Sequence, residues 1–117
     1  MNALRIMLIG QNLPIDYQAD DRLAWLIYSP SLESQLTDIE NYLTNKKAVE
    51  TADMLVLNVQ HGDPSFDEGV FLHLAYSKQI PIFLIGDCLS SKMIHAFESN
   101  AFLDFNQTLQ HIVDFYL

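Results

Sequence analysis

Residues 54–59 read MLVLNV, preceded by Ala52-Asp53 and followed at once by the polar, glycine-bearing segment QHGDPSFDEG at 60–69. A run that is apolar almost throughout, rather than at alternate positions, is what a strand covered on both faces of a parallel sheet requires. Working outward, similar runs recur at 4–9 (LRIMLI, stopping at Gly10), 25–28 (WLIY), 80–85 (IPIFLI) and 101–105 (AFLDF). Pro30 closes the second run and places it near a sheet edge, and Pro81 is tolerable only at the beginning of the fourth. Longer amphipathic stretches separate most of these runs. In 31–51, Leu32, Leu36, Ile39, Tyr42, Leu43 and Val49 fall mostly at spacings of three and four, predicting a helix with a break near Asn45. Asp67 and Glu68 mark a helix start over 67–78, because carboxylates are favoured where unpaired amides and the positive dipole end lie. Ser91 is placed to cap a helix over 92–99. Asn106 is placed to cap another over 107–117, with Leu109, Ile112, Val113 and Tyr116 on one stripe. The first crossover, NLPIDYQADDRLA at 12–24, is barely long enough for a parallel connection, so its helix is expected to be short or irregular.

Strands alternating with helices define an α/β chain with right-handed crossovers. Five parallel strands of this size fit a three-layer flavodoxin- or Rossmann-like sandwich with strand order 2-1-3-4-5. In such sheets a ligand sits beyond the carboxyl ends of the strands, where the order reverses between strands 1 and 3. The loops then in play are 10–14, 60–69 and 86–91. The 117 residues, half of them hydrophobic and 18% charged, suit one domain over 1–117 with a single core. Net charge is −9, which disfavours a nucleic-acid partner. No run approaches the roughly 20 apolar residues that cross a bilayer, and residues 4–9 lack the basic leader of a signal peptide. The lone Cys88 cannot form an intrachain disulfide, so a reducing, cytoplasmic setting is expected.

The densest collection of ionisable groups is His61, Asp63, Asp67 and Glu68, in the loop that the fold places beside the ligand. A carboxylate there can hold ribose hydroxyls or act as a general base, and an imidazole can supply a proton. Equally, Asp67 and Glu68 can simply complement a helix dipole in a solvated loop. The spacing matches no calcium or zinc loop, so no metal is expected. His73, His95 and His111 read as packing residues on helix faces. Cys88 follows strand 4 without a basic neighbour that would activate it. Gly10-Gln11-Asn12-Leu13 carries neither a dinucleotide fingerprint nor a Walker lysine, and no cofactor is expected.

Taken in order, IMLIGQ (6–11), IYSPS (27–31), AVETADMLVLNV (48–59), DEGVFLHLAYSKQIPIF (67–83) and SSKMI (90–94) resemble the nucleoside 2-deoxyribosyltransferase-like family. That family has an A-G-P-like turn after strand 1, an Ala-Asp pair opening strand 3, a D-x-G-T-x-x-E stretch and an N-x-M-like segment. The counterparts here are Ile9-Gly10-Gln11, Ala52-Asp53, Asp67 through His73, and Ser91-Lys92-Met93. Asp67 and Gly69 match. His73 stands where the family has the glutamate that becomes the glycosyl ester, and an imidazole cannot form that ester. Glu68 is five residues before His73, about 140° around an ideal helix, and is a weak substitute.

The resemblance implies a nucleoside, nucleotide or related ribosyl ligand. Asp67, Glu68 and His73 would be the acid/base groups of any N-glycosidic cleavage or transfer. Gly10, Gln11, His61, Asp63, Gly69, Ser91 and Met93 would be the ligand contacts. It also implies a homodimer or larger homo-oligomer with the site between subunits. Loss of the nucleophile motivates the alternative of a non-catalytic interaction module, for which Phe97, Phe102, Phe105, Phe115 and Tyr116 supply aromatic surface.

Overall fold

The computed structural model describes residues 3–10, 21–28, 37–60, 62–86, 93–98 and 100–117. Its elements in chain order are β1 (Leu4–Ile9), β2 (Leu23–Ile27), α1 (Asp38–Thr51), β3 (Met54–Asn58), α2 (Phe66–Ser77), β4 (Ile82–Ile85), a 3-10 turn (Met93–Ala96), β5 (Asn100–Phe102) and α3 (Phe105–Tyr116). The five strands form one sheet in the order β2-β1-β3-β4-β5, all parallel, as the pattern of runs predicts. Residues 12–20 of the first crossover, the start of the helix expected over 31–51, and Gln11, His61, Cys88 and Ser91 lie outside the described residues, while Leu23 and Ala24 already belong to β2.

Strand alternation divides the core into two layers. Ile6, Leu8, Met54, Val56, Phe83 and Ile85 face α3 and its Ile112. Met7, Ile9, Leu55, Leu57 and Leu84 face the other way, onto Val49 of α1 and Phe71, Leu72 and Ala75 of α2. The register keeps like with like: Leu8 opposes Val56, and Val56 opposes Phe83. Each central strand is therefore apolar on both faces, which is why its sequence shows no alternation.

Several boundaries differ from the sequence reading for identifiable reasons. Helix α1 runs unbroken through Asn45, whose Nδ2 donates to the Asn41 carbonyl at 3.0 Å; this bond one turn back satisfies the amide within the helix. Asp104, not Asn106, caps α3. Its Oδ1 accepts from the Gln107 amide at 2.9 Å, so β5 ends at Phe102 and Phe105 becomes helical, 5.7 Å from the Trp25 ring. Of the helix expected over 92–99, the described residues 93–98 hold a four-residue 3-10 turn at Met93–Ala96. Strand β4 starts at Ile82, after Pro81. Gln79, with φ 63°, turns the chain there; its amide bonds the Tyr76 carbonyl, and the Ile80 amide bonds that of Ala75. Asp53 belongs to the amino end of the sheet, where its Oδ2 accepts from the Arg5 amide at 2.8 Å.

Candidate functional site

Parallel strands present their carboxyl ends on one edge, and Gly10, Tyr28, Asn58 and Gly86 leave β1, β2, β3 and β4 there. Two of these exits are close-packed backbone. Gly10 has φ 113°, and a Cβ on it would lie 2.6 Å from the Asn58 carbonyl oxygen. Gly86 has φ 107°, and its Cβ would lie 2.9 Å from Gln60 Cα. The absence of a side chain at both positions lets three strand exits converge.

Beside this edge, the end of β2 and the first turns of α1 and α2 enclose a cavity of about 520 Å³. Phe71 of α2 is a central wall. Tyr28 lies against it with ring centroids 5.3 Å apart, and Tyr42 of α1 stacks on it at 5.9 Å and 29°. Asp38 and Asp67 bring carboxylates to the lining, and Asn41 and Asn45 bring carboxamides. Asn45 is only 5% exposed. The Asn41 Oδ1 is buried and has no hydrogen-bond partner among the described residues. Phe66, 86% exposed, forms part of the rim. The Tyr28 hydroxyl is held above the usual phenol range, first by burial and then by the negative charges of Asp67 and Glu68.

The expected acid/base groups are not brought to one place. Asp67 is exposed and lines this cavity. Glu68 lines neither this cavity nor the next; its Oε1 accepts from the Ser65 amide at 2.8 Å while Ser65 Oγ accepts from the Glu68 amide at 3.2 Å, a reciprocal cap on α2. His73 faces a second cavity, of about 540 Å³, with Tyr76 and Phe97. The reason is helical geometry: six residues separate Asp67 from His73, which turns them about 120° apart. Gly10, Asp63 and Gly69 line neither cavity, and Met93 opens the 3-10 turn. Among the described residues no group of three or more His, Cys, Asp or Glu side chains could hold a metal ion, and no helix is long and apolar enough to cross a membrane.

Sequence reading missed Tyr28, Asp38, Asn41, Tyr42 and Asn45. The signal was present in α1, where Asp38, Asn41, Tyr42 and Asn45 share a helical stripe with the fully buried Val49. Polar residues in line with a core position mark a helix face that walls a polar cavity.

The fold and the cavity at the carboxyl edge define an α/β sandwich of the doubly wound, flavodoxin-like type. No protein-family profile and no curated protein sequence matches the chain. Among solved structures, a conserved protein from Enterococcus faecalis V583 superimposes with a TM-score of 0.71 at 11% identity, covering 98% of this chain and 99% of its own. A 2-desoxiribosyltransferase from Leishmania mexicana superimposes with a TM-score of 0.69 at 13% identity, covering 97% of this chain and 99% of its own. The chain thus shares its fold with both proteins, as the α/β architecture expected from its sequence requires.

Proposed function

We propose that this protein binds a nucleoside, nucleotide or related ribosyl ligand in the cavity between β2, α1 and α2. The observation that carries the reading is the pairing of an aromatic wall with a carboxylate at the same opening: Tyr28, Tyr42 and Phe71 together with Asp67. An aromatic face suits a planar base, and a carboxylate accepts hydrogen bonds from sugar hydroxyls. The volume falls within the usual range of small-molecule pockets. Asp38 and Asp67 set the electrostatic preference. Two carboxylates at the lining repel a phosphate, so the uncharged nucleoside is favoured over its nucleotide. Asp67 is the acid/base group available for slow N-glycosidic cleavage, since Glu68 is engaged in the helix cap and His73 lies at another cavity.

The test is a panel of nucleosides and their monophosphates, titrated to millimolar concentration against the labelled protein. Shifts in the amide resonances of Tyr28, Asn41, Asp67 and Phe71, larger for nucleosides than for monophosphates, are expected. Absence of both a thermal shift and any chemical-shift change at these residues would remove the reading. Incubation with the bound nucleoside, followed by chromatography for free base, tests the catalytic form separately.

A further inference from the structure

The second cavity lies at the opposite end of α2. Its floor forms because the left-handed Gln79 turns the chain back, bringing Ile80 and Pro81 beneath the last helical turn. Three rings line it. His73 stands at 88° to Phe97 with centroids 5.9 Å apart, and Tyr76 stands at 71° to Phe97 at 4.8 Å. Phe97 thus meets both neighbours edge to face, and the three ring-bearing residues line one space of about 540 Å³.

Among the described residues lining this space, Glu98 is the one carboxylate. Glu98 lines it with a carboxylate only 23% exposed, bonded to His95 Nδ1 at 3.0 Å. Tyr76 and Ser77 are the last residues of α2, whose carboxyl-terminal carbonyls carry the negative end of the helix dipole. No basic residue occupies the last turn of α2 to offset it. Lys78, which follows, sends its Nζ to the Glu50 carbonyl at 2.6 Å. Among the described lining residues there is no lysine or arginine. The chain as a whole carries a net charge of −9.

Aromatic quadrupoles, a partly buried carboxylate and a helix carboxyl terminus all favour positive charge, and ring walls favour a cation that is bulky and weakly hydrated. We propose that the cavity bounded by His73, Tyr76, Phe97 and Glu98 is a binding site for a methylated or quaternary ammonium group. It is independent of the nucleoside cavity and of any chemistry there. His73 has a role in it as a ring wall.

The experiment titrates the intact labelled chain with choline, with tetramethylammonium chloride, and with 3,3-dimethylbutan-1-ol, the uncharged isostere of choline, at matched ionic strength. Choline and tetramethylammonium are expected to bind with dissociation constants on the order of millimolar and to shift the Tyr76 and Phe97 ring resonances. The isostere should bind about fivefold more weakly or worse. Tyr76→Ala removes a half-exposed ring, so the fold is retained, and it should weaken choline about fivefold. Glu98→Gln should weaken it about threefold while leaving the isostere unchanged. Equal binding of choline and its isostere, unchanged affinity in Tyr76→Ala, or choline-induced shifts confined to residues away from this cavity would each overturn the proposal.

Discussion

The two adjacent acids at the start of α2 have separable roles, and a crossed pair of substitutions tests the separation. Glu68 closes a reciprocal cap with Ser65 through bonds of 2.8 and 3.2 Å, whereas Asp67 lines the cavity proposed to take a nucleoside. Removing a capping partner costs about 1 kcal/mol, and loss of an acid from the first turn costs about 0.3 kcal/mol or more of dipole stabilisation. Glu68→Ala removes only the 2.8 Å bond, because Ser65 Oγ still accepts from the backbone amide of residue 68; the lost bond is solvent-exposed and alanine is the better helix former, which holds the sum to about 1 kcal/mol at most. With an unfolding entropy of about 2.1 cal/mol/K per residue over 117 residues, that corresponds to a fall in Tm of about 4 °C. Asp67→Ala loses only the dipole contribution and should lower Tm by about 1 °C. In nucleoside binding the order reverses. A hydrogen bond to a carboxylate contributes about 1.5–3 kcal/mol, so Asp67→Ala should weaken affinity tenfold or more, while Glu68→Ala leaves it within about twofold. Calorimetric melting and the nucleoside titration, run on both variants, measure the two columns of this comparison. A Glu68→Ala protein that melts normally but no longer binds, beside an Asp67→Ala protein that binds normally, would refute the division of roles.

Two further outcomes follow from the same edge of the sheet. Gly10→Ala must place a Cβ 2.6 Å from the Asn58 carbonyl oxygen at φ 113°, so it should destabilise the protein by about 1–3 kcal/mol or more, read as a lower urea midpoint with an unchanged slope. Tyr28 has a phenol held above its unfolded value of 10.0, so the folded state retains its proton more strongly. Its contribution to stability is therefore fully present below pH 10.0 and is lost as the pH rises through the raised folded value; Tyr28→Phe should flatten the alkaline fall in Tm, and the late phenolate absorbance step should disappear with it.

Where the chain is buried on both sides, composition alone carries the architecture. The run MLVLNV, with its counterparts in β1 and β4, requires cover on both faces, and cover on both faces with helices between requires a parallel sheet. Strand order and the edge position of β2 were legible from these runs and from the crossover rule. Element ends were less legible because caps compete. Asp104 and Asn106 are both good capping residues, and only the packing of Phe105 against Trp25 accompanies the choice of the earlier one. The break expected at Asn45 failed for a related reason: asparagine disfavours helix interiors by competing for backbone groups, but here its amide bonds within the helix and is buried.

The amino-acid sequence by itself determined which segments enter the sheet, since a run apolar almost throughout needs cover on both faces. It also determined that acids gather at the start of α2. Which side chains share an opening was decided only by the tertiary structure. Asp67 and His73 belong to one short motif, yet the pitch of α2 and the return of the chain at Gln79 send them to different cavities. Tyr28, Asn41 and Phe71 are far apart in the chain, yet the crossover from β2 through α1 sets them around one space. Local pattern records how each residue relates to its own helix or strand. A site is formed where several elements meet, and that meeting is set by how the layers pack.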